Sequence, residues 1–281
     1  MSAVGRGTRV QAGFCTLVFV FLIAPILVIV PLSFNAEPYF TFTEGMLRLD
    51  PEAWSLRWYR EVAGSEDWKR GLANSALVGI CATAIATVLG TLAAIGLSNP
   101  AMPARRFVTG LLISPMVTPV IITAAGMYFF YTAAGLSRTH LGLILAHAVL
   151  GMPFVIITVT AALTGYDRNL TRAASGLGAG PVHGFLRVQL PLIAPGVMSG
   201  ALFAFATSFD EVVVVLFMGG PAQKTVPREM WSGIREQISP AILAVATFLI
   251  LLAGLLLLTV AWLRRRSVQA SRGWRGGESR G

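Results

Sequence analysis

The sequence predicts an all-α membrane protein with six transmembrane helices, on three observations. Apolar residues make up 55% of the 281 residues and charged residues only 12%, which is about half the charge of a typical soluble domain. The apolar residues fall in long blocks, as helices of about 20 residues that cross a ~30 Å hydrocarbon core require. Nearly all charged residues lie between the blocks, so little chain remains for a soluble domain.

Six apolar blocks supply the predicted spans. We place them at residues 14–32, 72–97, 107–131, 141–163, 192–218 and 241–263. The first block contains Pro25 and Pro31 and is not followed by a clean small-residue cleavage site, so we interpret it as a retained span rather than a signal peptide. Residues 1–13 and 264–281 are then terminal segments, and the second is too polar and glycine-rich to fold alone.

The connections between these spans form two sets that differ in charge. One set, which includes both termini and the 164–191 loop, holds thirteen arginines and two acidic residues, whereas the other holds nine basic and nine acidic residues. The positive-inside rule therefore predicts that both termini are cytoplasmic. This distribution also assigns most of the net charge of +9 to membrane orientation, and we predict no nucleic-acid partner.

Reporter fusions test this orientation. We expect fusions after Arg106 and after Arg187 to report a cytoplasmic position, because both follow arginine-rich connections. A fusion within residues 61–67 is expected to report an external position. The measurement is the activity of a reporter enzyme that functions on one side of the membrane only, and the reverse pattern would overturn the orientation.

The long external connection, residues 33–71, is expected to hold a short helix on the outer membrane face. Asp50 suits an N-cap and Pro51 suits the first helical turn. Trp58 and Tyr59 are residue types that favour the membrane interface. Packing explains this segment better than substrate contact does.

The 164–191 loop has the pattern of two short helices joined by glycine. Asp167 or Asn169 can cap the first helix, and Pro181 can start the second. Four apolar residues fall on one face of the first helix at helical spacing, and two glycines end it: Leu170, Ala173, Ala174 and Leu177, followed by Gly178 and Gly180. On this pattern alone, docking to a partner and packing on the chain's own spans both remain open.

The loop resembles a motif of permeases of binding-protein-dependent ABC importers. In that motif EAA is followed after three residues by Gly, and after nine more by Ile, one further residue and Leu-Pro. Ala173-Ala174, Gly178 and Leu190-Pro191 stand at the same spacings here. Arg172 replaces the Glu of the motif, which reverses a charge, and Val188 replaces its Ile. The resemblance extends over almost the whole chain and implies a type I ABC importer permease fold with a cytoplasmic coupling-helix loop.

The resemblance also implies how the chain is driven. In the family this loop sits in a groove of the ATPase subunit, so six residues are implied to couple the chain to it: Arg172, Ala173, Ala174, Gly178, Leu190 and Pro191. No GxxxxGK[ST] run occurs in the sequence, so we expect a non-catalytic subunit with no cofactor or metal of its own, and ATP used by a separate ATPase dimer. The other implied partners are a second permease, a paralogue, an extracytoplasmic solute-binding protein and the lipid bilayer of a bacterial inner membrane.

Two acidic residues, Asp210 and Glu211, lie within the fifth apolar block. A carboxylate there is costly against lipid and should face a water-filled path or a partner helix. Successive residues of a helix point about 100° apart, so we expect the two acids to face different surroundings. Recognition of a cationic substrate and structural pairing both remain open as their role.

The sequence around these acids resembles the spermidine/putrescine permease group, in which an SFDE-type pair precedes Gly-Pro, Thr-x-Pro and Trp. The matching residues are Ser208, Phe209, Asp210, Glu211, Gly220, Pro221, Thr225, Pro227 and Trp231. This implies a small cationic solute of polyamine type, with Asp210 and Glu211 on its path. Another small amine or an amino-acid-like solute is the alternative within the family. A secondary transporter is the alternative from another class, but it would usually show more spans or an inverted repeat.

Overall fold

The structure, a computed structural model, describes residues 3–236 and 239–275. Over these residues it consists of α-helices joined by short turns and loops. The helices are α1 (Ala3–Leu32), α2 (Glu44–Leu47), α3 (Arg57–Gly64), α4 (Glu66–Ser98), α5 (Arg105–Val117), α6 (Val120–Ala133), α7 (His140–Thr164), α8 (Arg168–Gly176), α9 (Pro181–Gly184), α10 (Leu190–Asp210), α11 (Val213–Met218), α12 (Val226–Glu236) and α13 (Ala241–Arg275). The chain divides into two compact units, Met1–Lys69 with Ser232–Gly254, and Arg70–Trp231 with Leu255–Gly281.

The predicted all-α membrane fold is confirmed. Five stretches of the described helices are long and apolar enough to cross a membrane. They are Gln11–Leu32, Glu66–Ser98, His140–Thr164, Pro181–Asp210 and Ala241–Thr259. A sixth crossing requires the bent pair α5 and α6 to act together, since neither helix is long enough alone.

The third predicted span, 107–131, is wrong as a continuous helix. It is two helices, α5 and α6, that meet at an angle of 105°. Pro119 lies at the break, where it cannot donate an N–H, and it holds the preceding Thr118 extended at ψ 137°. Pro115 and Pro153 remain inside α5 and α7, so only one of these three prolines interrupts its helix.

The bent pair nevertheless connects the two ends of the second unit. On its N-terminal side, the Arg168 guanidinium donates a hydrogen bond to the carbonyl of Ser98, the last residue of α4. At the other end, just beyond α6, the N–H of Arg138 donates to the carbonyl of Met218 at 2.8 Å. If α5 and α6 together count as one broken span, the described residues contain the six predicted spans.

The fifth predicted span, 192–218, is also broken. Its helix α10 ends at Asp210, Glu211 is extended with ψ 121°, and α11 begins at Val213. The prediction that both acids lie on one continuous helix is therefore wrong. The Glu211 carboxylate accepts the N–H groups of Val213 and Val214, so at the start of α11 it takes the place of the carbonyls that a continuous helix would supply.

In the first unit, the 33–71 connection folds around the buried side chain of Trp58. Its indole N–H donates to the carbonyl of Asn35 at 2.7 Å, and its ring packs with Ala241 and Ala244. Asp50 caps a 3₁₀ turn at Pro51–Ala53 as predicted, but the chain is then extended at Trp54 and the helix resumes only in α3. The predicted single helix is thus two short ones.

The last helix, α13, continues past the predicted membrane boundary at residue 263 to Arg275. Extending an existing helix adds one hydrogen bond for each residue fixed, whereas starting a new helix is costly. Residues 264–275 are therefore helical as a continuation of the last span, which is consistent with the prediction that the tail does not fold alone. The remainder of the tail, residues 276–281, lies outside the described residues.

Helices α7 and α10 pack together through small residues. A Cβ atom added at Gly200 would lie 2.7 Å from the Cα of Val155, and one added at Gly151 would lie 2.9 Å from the Cβ of Ala204. Since real side chains do not approach this closely, the two helices touch where glycine leaves their backbones uncovered. The 164–191 loop joins these same two helices, so it connects the ends of a tightly packed pair.

Candidate functional site

The first helix of the 164–191 loop is held at its beginning. Asp167 caps α8 as predicted, because its carboxylate accepts the N–H of Asn169 at 2.9 Å. The hydroxyl groups of Tyr166 and Thr171 form a hydrogen bond at 2.7 Å. Arg168 reaches the carbonyl of Ser98 at the end of α4. These bonds attach the first turns of α8 to the neighbouring chain.

The glycine turn after α8 has the predicted form. Leu177 is the C-cap, and Gly178 follows with φ +87°, in the left-handed region that favours glycine. The N–H of Ala179 donates to the carbonyl of Ala174 at 3.0 Å. Pro181 then starts α9 at a position where its missing N–H costs nothing. The turn therefore separates two short helices.

The Leu190–Pro191 pair lies at the start of α10. A proline at this position would clash with the carbonyl of Arg187 in a regular α-helix. The chain avoids this with a π-helical turn over Phe185–Gln189, in which the N–H of Leu190 donates to the carbonyl of Phe185. Leu190 packs against the cluster that contains Leu163 and Ile193, so it attaches the end of the loop to the spans.

The residues implied to contact an ATPase differ in how far their side chains are exposed. Arg172, Ala173 and Gly178 are exposed, whereas Ala174 is half-buried. Leu177 is 90% exposed, and Val182 on α9 is 69% exposed. Both apolar side chains are thus largely uncovered by the rest of the described chain. The loop therefore exposes Arg172 and Ala173 together with two apolar side chains, Leu177 and Val182.

The two acids of the broken fifth span have different surroundings. One carboxylate oxygen of Glu211 accepts the N–H groups of Val213 and Val214 at 2.6 and 3.0 Å, so Glu211 caps the start of α11. Asp210 is exposed, and its carboxylate makes no hydrogen bond or ion pair with any residue in the described ranges. The two acids therefore face different surroundings, as expected. The cause is the break between α10 and α11, and not the 100° rotation between successive residues of one helix.

A buried histidine attaches the last turn of α10 to α7. Nδ1 of His147 lies 2.8 Å from the hydroxyl oxygen of Ser208, two residues before Asp210. His147 is 1% exposed, and its Nε2 has no hydrogen-bond partner within residues 3–236 and 239–275. His147 is therefore a buried packing histidine that joins α7 to the last turn of α10.

Asn74, a buried residue near the start of α4, was not singled out from the sequence. Its amide nitrogen donates to the carbonyls of Ala222 and Lys224 at 2.9 and 2.8 Å, and its amide oxygen lies 3.0 Å from Nε2 of His140. Because the amide group donates to the carbonyls, its oxygen accepts from His140. The sequence feature that could have identified it is a polar amide side chain inside an apolar block.

The segment that Asn74 holds carries a half-buried charge cluster. The Lys224 ammonium group lies 2.9 Å from the Glu229 carboxylate. The Arg228 guanidinium donates to the carbonyls of Gly219 and Gly220 at 2.9 and 3.0 Å. The pKa of Arg228 lies below its usual value, because the effect of burial exceeds the opposing effect of the neighbouring Glu229 carboxylate. These contacts fix the chain between α11 and α12 with its charges satisfied internally.

The two candidate sites lie at opposite ends of α10. Leu190 and Pro191 begin this helix and Asp210 ends it, which separates the two ends by about 30 Å at 1.5 Å per residue. The structure thus brings the implied docking residues together in one loop and keeps the acidic pair apart from them. No group of three or more potential metal ligands occurs in the part of the chain that the structure describes.

Comparisons with known proteins match this architecture. The family described as binding-protein-dependent transport system inner membrane component matches residues 86–270. The spermidine/putrescine transport system permease protein PotC of Escherichia coli K12 is 26% identical over 267 residues, which cover 95% of this chain and 98% of PotC. The putrescine transport system permease protein PotI of the same strain is 31% identical, over 84% of each chain.

The fold also matches a solved structure. A bacterial alginate ABC transporter, in complex with an alginate pentasaccharide-bound periplasmic protein, contains a chain with a TM-score of 0.65. That chain is 16% identical in sequence, and the match covers 94% of this chain and 96% of the other. At this identity the similarity shows a shared fold.

Proposed function

Because this chain belongs to the family of binding-protein-dependent transport system inner membrane components, we propose that it is a permease subunit of an ATP-driven importer and forms half of the path for a polyamine. The relatives PotC and PotI, whose names specify spermidine/putrescine and putrescine, cover most of the chain. The chain itself is a non-catalytic transport subunit, and its ATPase partner uses the ATP.

The observation that carries the substrate class is the exposed carboxylate of Asp210. No lysine or arginine lies in the helices α7, α10 and α11 around it. A carboxylate in such surroundings needs a counter-charge or water. An ammonium group of a polyamine that passes Asp210 would offset part of the desolvation cost of both charges. Glu211 is assigned the structural role, because the N–H groups of α11 already occupy its carboxylate.

The partners follow from the family and from the loop. A dimer of ATPase subunits docks on the 164–191 loop through Arg172, Ala173, Ala174 and the turn at Gly178. A second permease, a paralogue, completes the path, and a solute-binding protein delivers the substrate from outside, as the periplasmic protein bound to the alginate transporter supports. Both termini lie in the cytoplasm, which follows from the arginines of the loop and tail.

Uptake by the assembled complex tests this function. The chain is co-expressed with a candidate ATPase, second permease and binding protein, and reconstituted in vesicles with radiolabelled putrescine or spermidine. We expect uptake that requires ATP and the binding protein, with a polyamine preferred over a neutral amino acid.

The alternatives predict different results. Uptake of another small amine in place of polyamines would support the importer function but contradict the proposed substrate. Uptake that proceeds without the ATPase would identify a secondary transporter and reject the function.

A further inference from the structure

We propose that the groove that receives the 164–191 loop has an acidic rim, so that this permease and its ATPase recognise each other through a charge pair opposite in sign to that of the family motif. The inference rests on the proposed function and specifies the chemistry of the ATPase partner. It starts from the position of Arg172, which stands where the motif has Glu.

The direction in which α8 presents its side chains supports this proposal. Thr171 and Ala174 are half-buried and lie toward the protein, where Thr171 bonds to Tyr166. Arg172 and Ala173, which point away from Thr171, are exposed. Because the first turns of α8 are attached to the rest of the chain, this orientation is set before any partner binds.

The charges of the loop are uncompensated. Asp167, the single acidic residue among residues 164–191, uses its carboxylate to cap α8. Arg168 is bound to a backbone carbonyl. Arg172 has only a long contact of 3.5 Å to the side-chain oxygen of Asn169. Arg187 is exposed and has no hydrogen bond or ion pair among the described residues. Arg172 and Arg187 therefore present free positive charge.

These cations stand beside an apolar surface. Leu177 and Val182 are 90% and 69% exposed, and Leu186, next to Arg187, is 51% exposed. An apolar centre with a charged rim is the usual composition of a protein interface, and complementary charge on the partner selects the correct mate. A partner with a basic rim would be repelled by Arg172 and Arg187, so the complementary groove is apolar with acidic side chains at its edge.

Attraction to anionic lipid headgroups is the other source of interaction for these arginines. Headgroups attract any cation near the membrane surface and do not require an exposed leucine on a glycine turn. Arg105 and Arg106 at the start of α5 have the same predicted side of the membrane and lie outside the loop. They provide a matched control for a charge effect that depends on the membrane alone.

The experiment measures the affinity of the ATPase for the permease pair in lipid nanodiscs, at low and high salt, with Arg172→Glu and Arg106→Glu. We expect the affinity of the unaltered complex to fall with salt, Arg172→Glu to weaken it about tenfold at low salt with a smaller salt dependence, and Arg106→Glu to leave it unchanged. Replacing an acidic residue of the ATPase groove by lysine should restore binding to Arg172→Glu.

Equal affinity for the Arg172→Glu complex and the unaltered complex would overturn the proposal, and tighter binding by Arg172→Glu would show a basic rim instead. An effect that disappears in discs of purely zwitterionic lipid would assign Arg172 to the membrane and also overturn it. If the unaltered permease pair does not bind any ATPase, the proposed function fails and this inference fails with it. Size-exclusion chromatography of each variant shows that the permease pair has folded.

Discussion

Replacing Asp210 by asparagine is expected to lower polyamine uptake by one to two orders of magnitude while the complex still assembles. The amide has nearly the same size as the carboxylate but no charge, so it loses the attraction for a passing ammonium group. A charged hydrogen bond contributes about 1.5–3 kcal/mol, and about 1.4 kcal/mol corresponds to a factor of ten. The measurement is the initial rate of labelled putrescine uptake in vesicles.

Glu211→Gln is the matched control, because it removes the neighbouring charge and keeps an oxygen that can accept the N–H groups of Val213 and Val214. We expect it to transport at close to the normal rate. Glu211→Ala removes the cap, and we expect it to lower the thermal stability of the complex, since a lost cap costs about 1 kcal/mol.

Normal uptake by Asp210→Asn would show that the carboxylate is structural. Failure of Asp210→Asn to assemble would also count against substrate contact. The reverse pattern, with Glu211→Gln inactive and Asp210→Asn active, would exchange the roles assigned to the two acids.

Substituting valine for Gly178 is expected to uncouple ATP hydrolysis from transport while the six spans still insert. The left-handed conformation at φ +87° costs a residue with a side chain about 1–2 kcal/mol, and more when the residue is β-branched. The loop would relax to another conformation and move Leu177 and Val182 out of register with the groove. We expect substrate-stimulated ATPase activity and uptake to fall about tenfold together.

Gly165→Val is the control for this change. Gly165 lies at the beginning of the same loop with an ordinary φ of −88°, so valine there introduces no left-handed strain, and we expect normal coupling.

Deleting Ala173-Ala174 should also uncouple transport, because it shortens the exposed face of α8. Normal uptake and ATPase stimulation in Gly178→Val would show that the geometry of this turn is not needed.

The sequence predicted the straight parts of the fold well. The fourth span was placed at 141–163, and α7 runs from His140 to Thr164, because its apolar block is uninterrupted and Thr139 caps it. The loop helix α8, its Asp167 cap and its glycine end were also correct. In these places local propensity and capping determine the structure, and both can be read from neighbouring residues.

The broken spans were harder to predict, because apolar content does not distinguish one helix from two. Pro119 breaks its span, while Pro115 and Pro153 remain within helices. The break after Asp210 depends on the Glu211 side chain turning back to cap α11, and a continuous helix satisfied the sequence pattern equally well. Transporters commonly place such breaks where a path crosses the membrane.

Long-range polar contacts could not be predicted from a single sequence. The amide group of Asn74 meets carbonyls that lie 148 and 150 residues later in the chain. No local pattern indicates such a pairing, because the residues come together only after the helices have packed. The same holds for His147 and Ser208, which are 61 residues apart.

The close packing of α7 against α10 also has a consequence for conformational change. Because Gly151 and Gly200 bring the two backbones close together, we expect the pair to resist bending and to move as one unit, with the 164–191 loop at one end. A lever arm of about 30 Å that tilts by about 10° displaces its far end by about 5 Å. Asp210 stands at that far end, and the unwound residues just beyond it are the place where the motion can be absorbed.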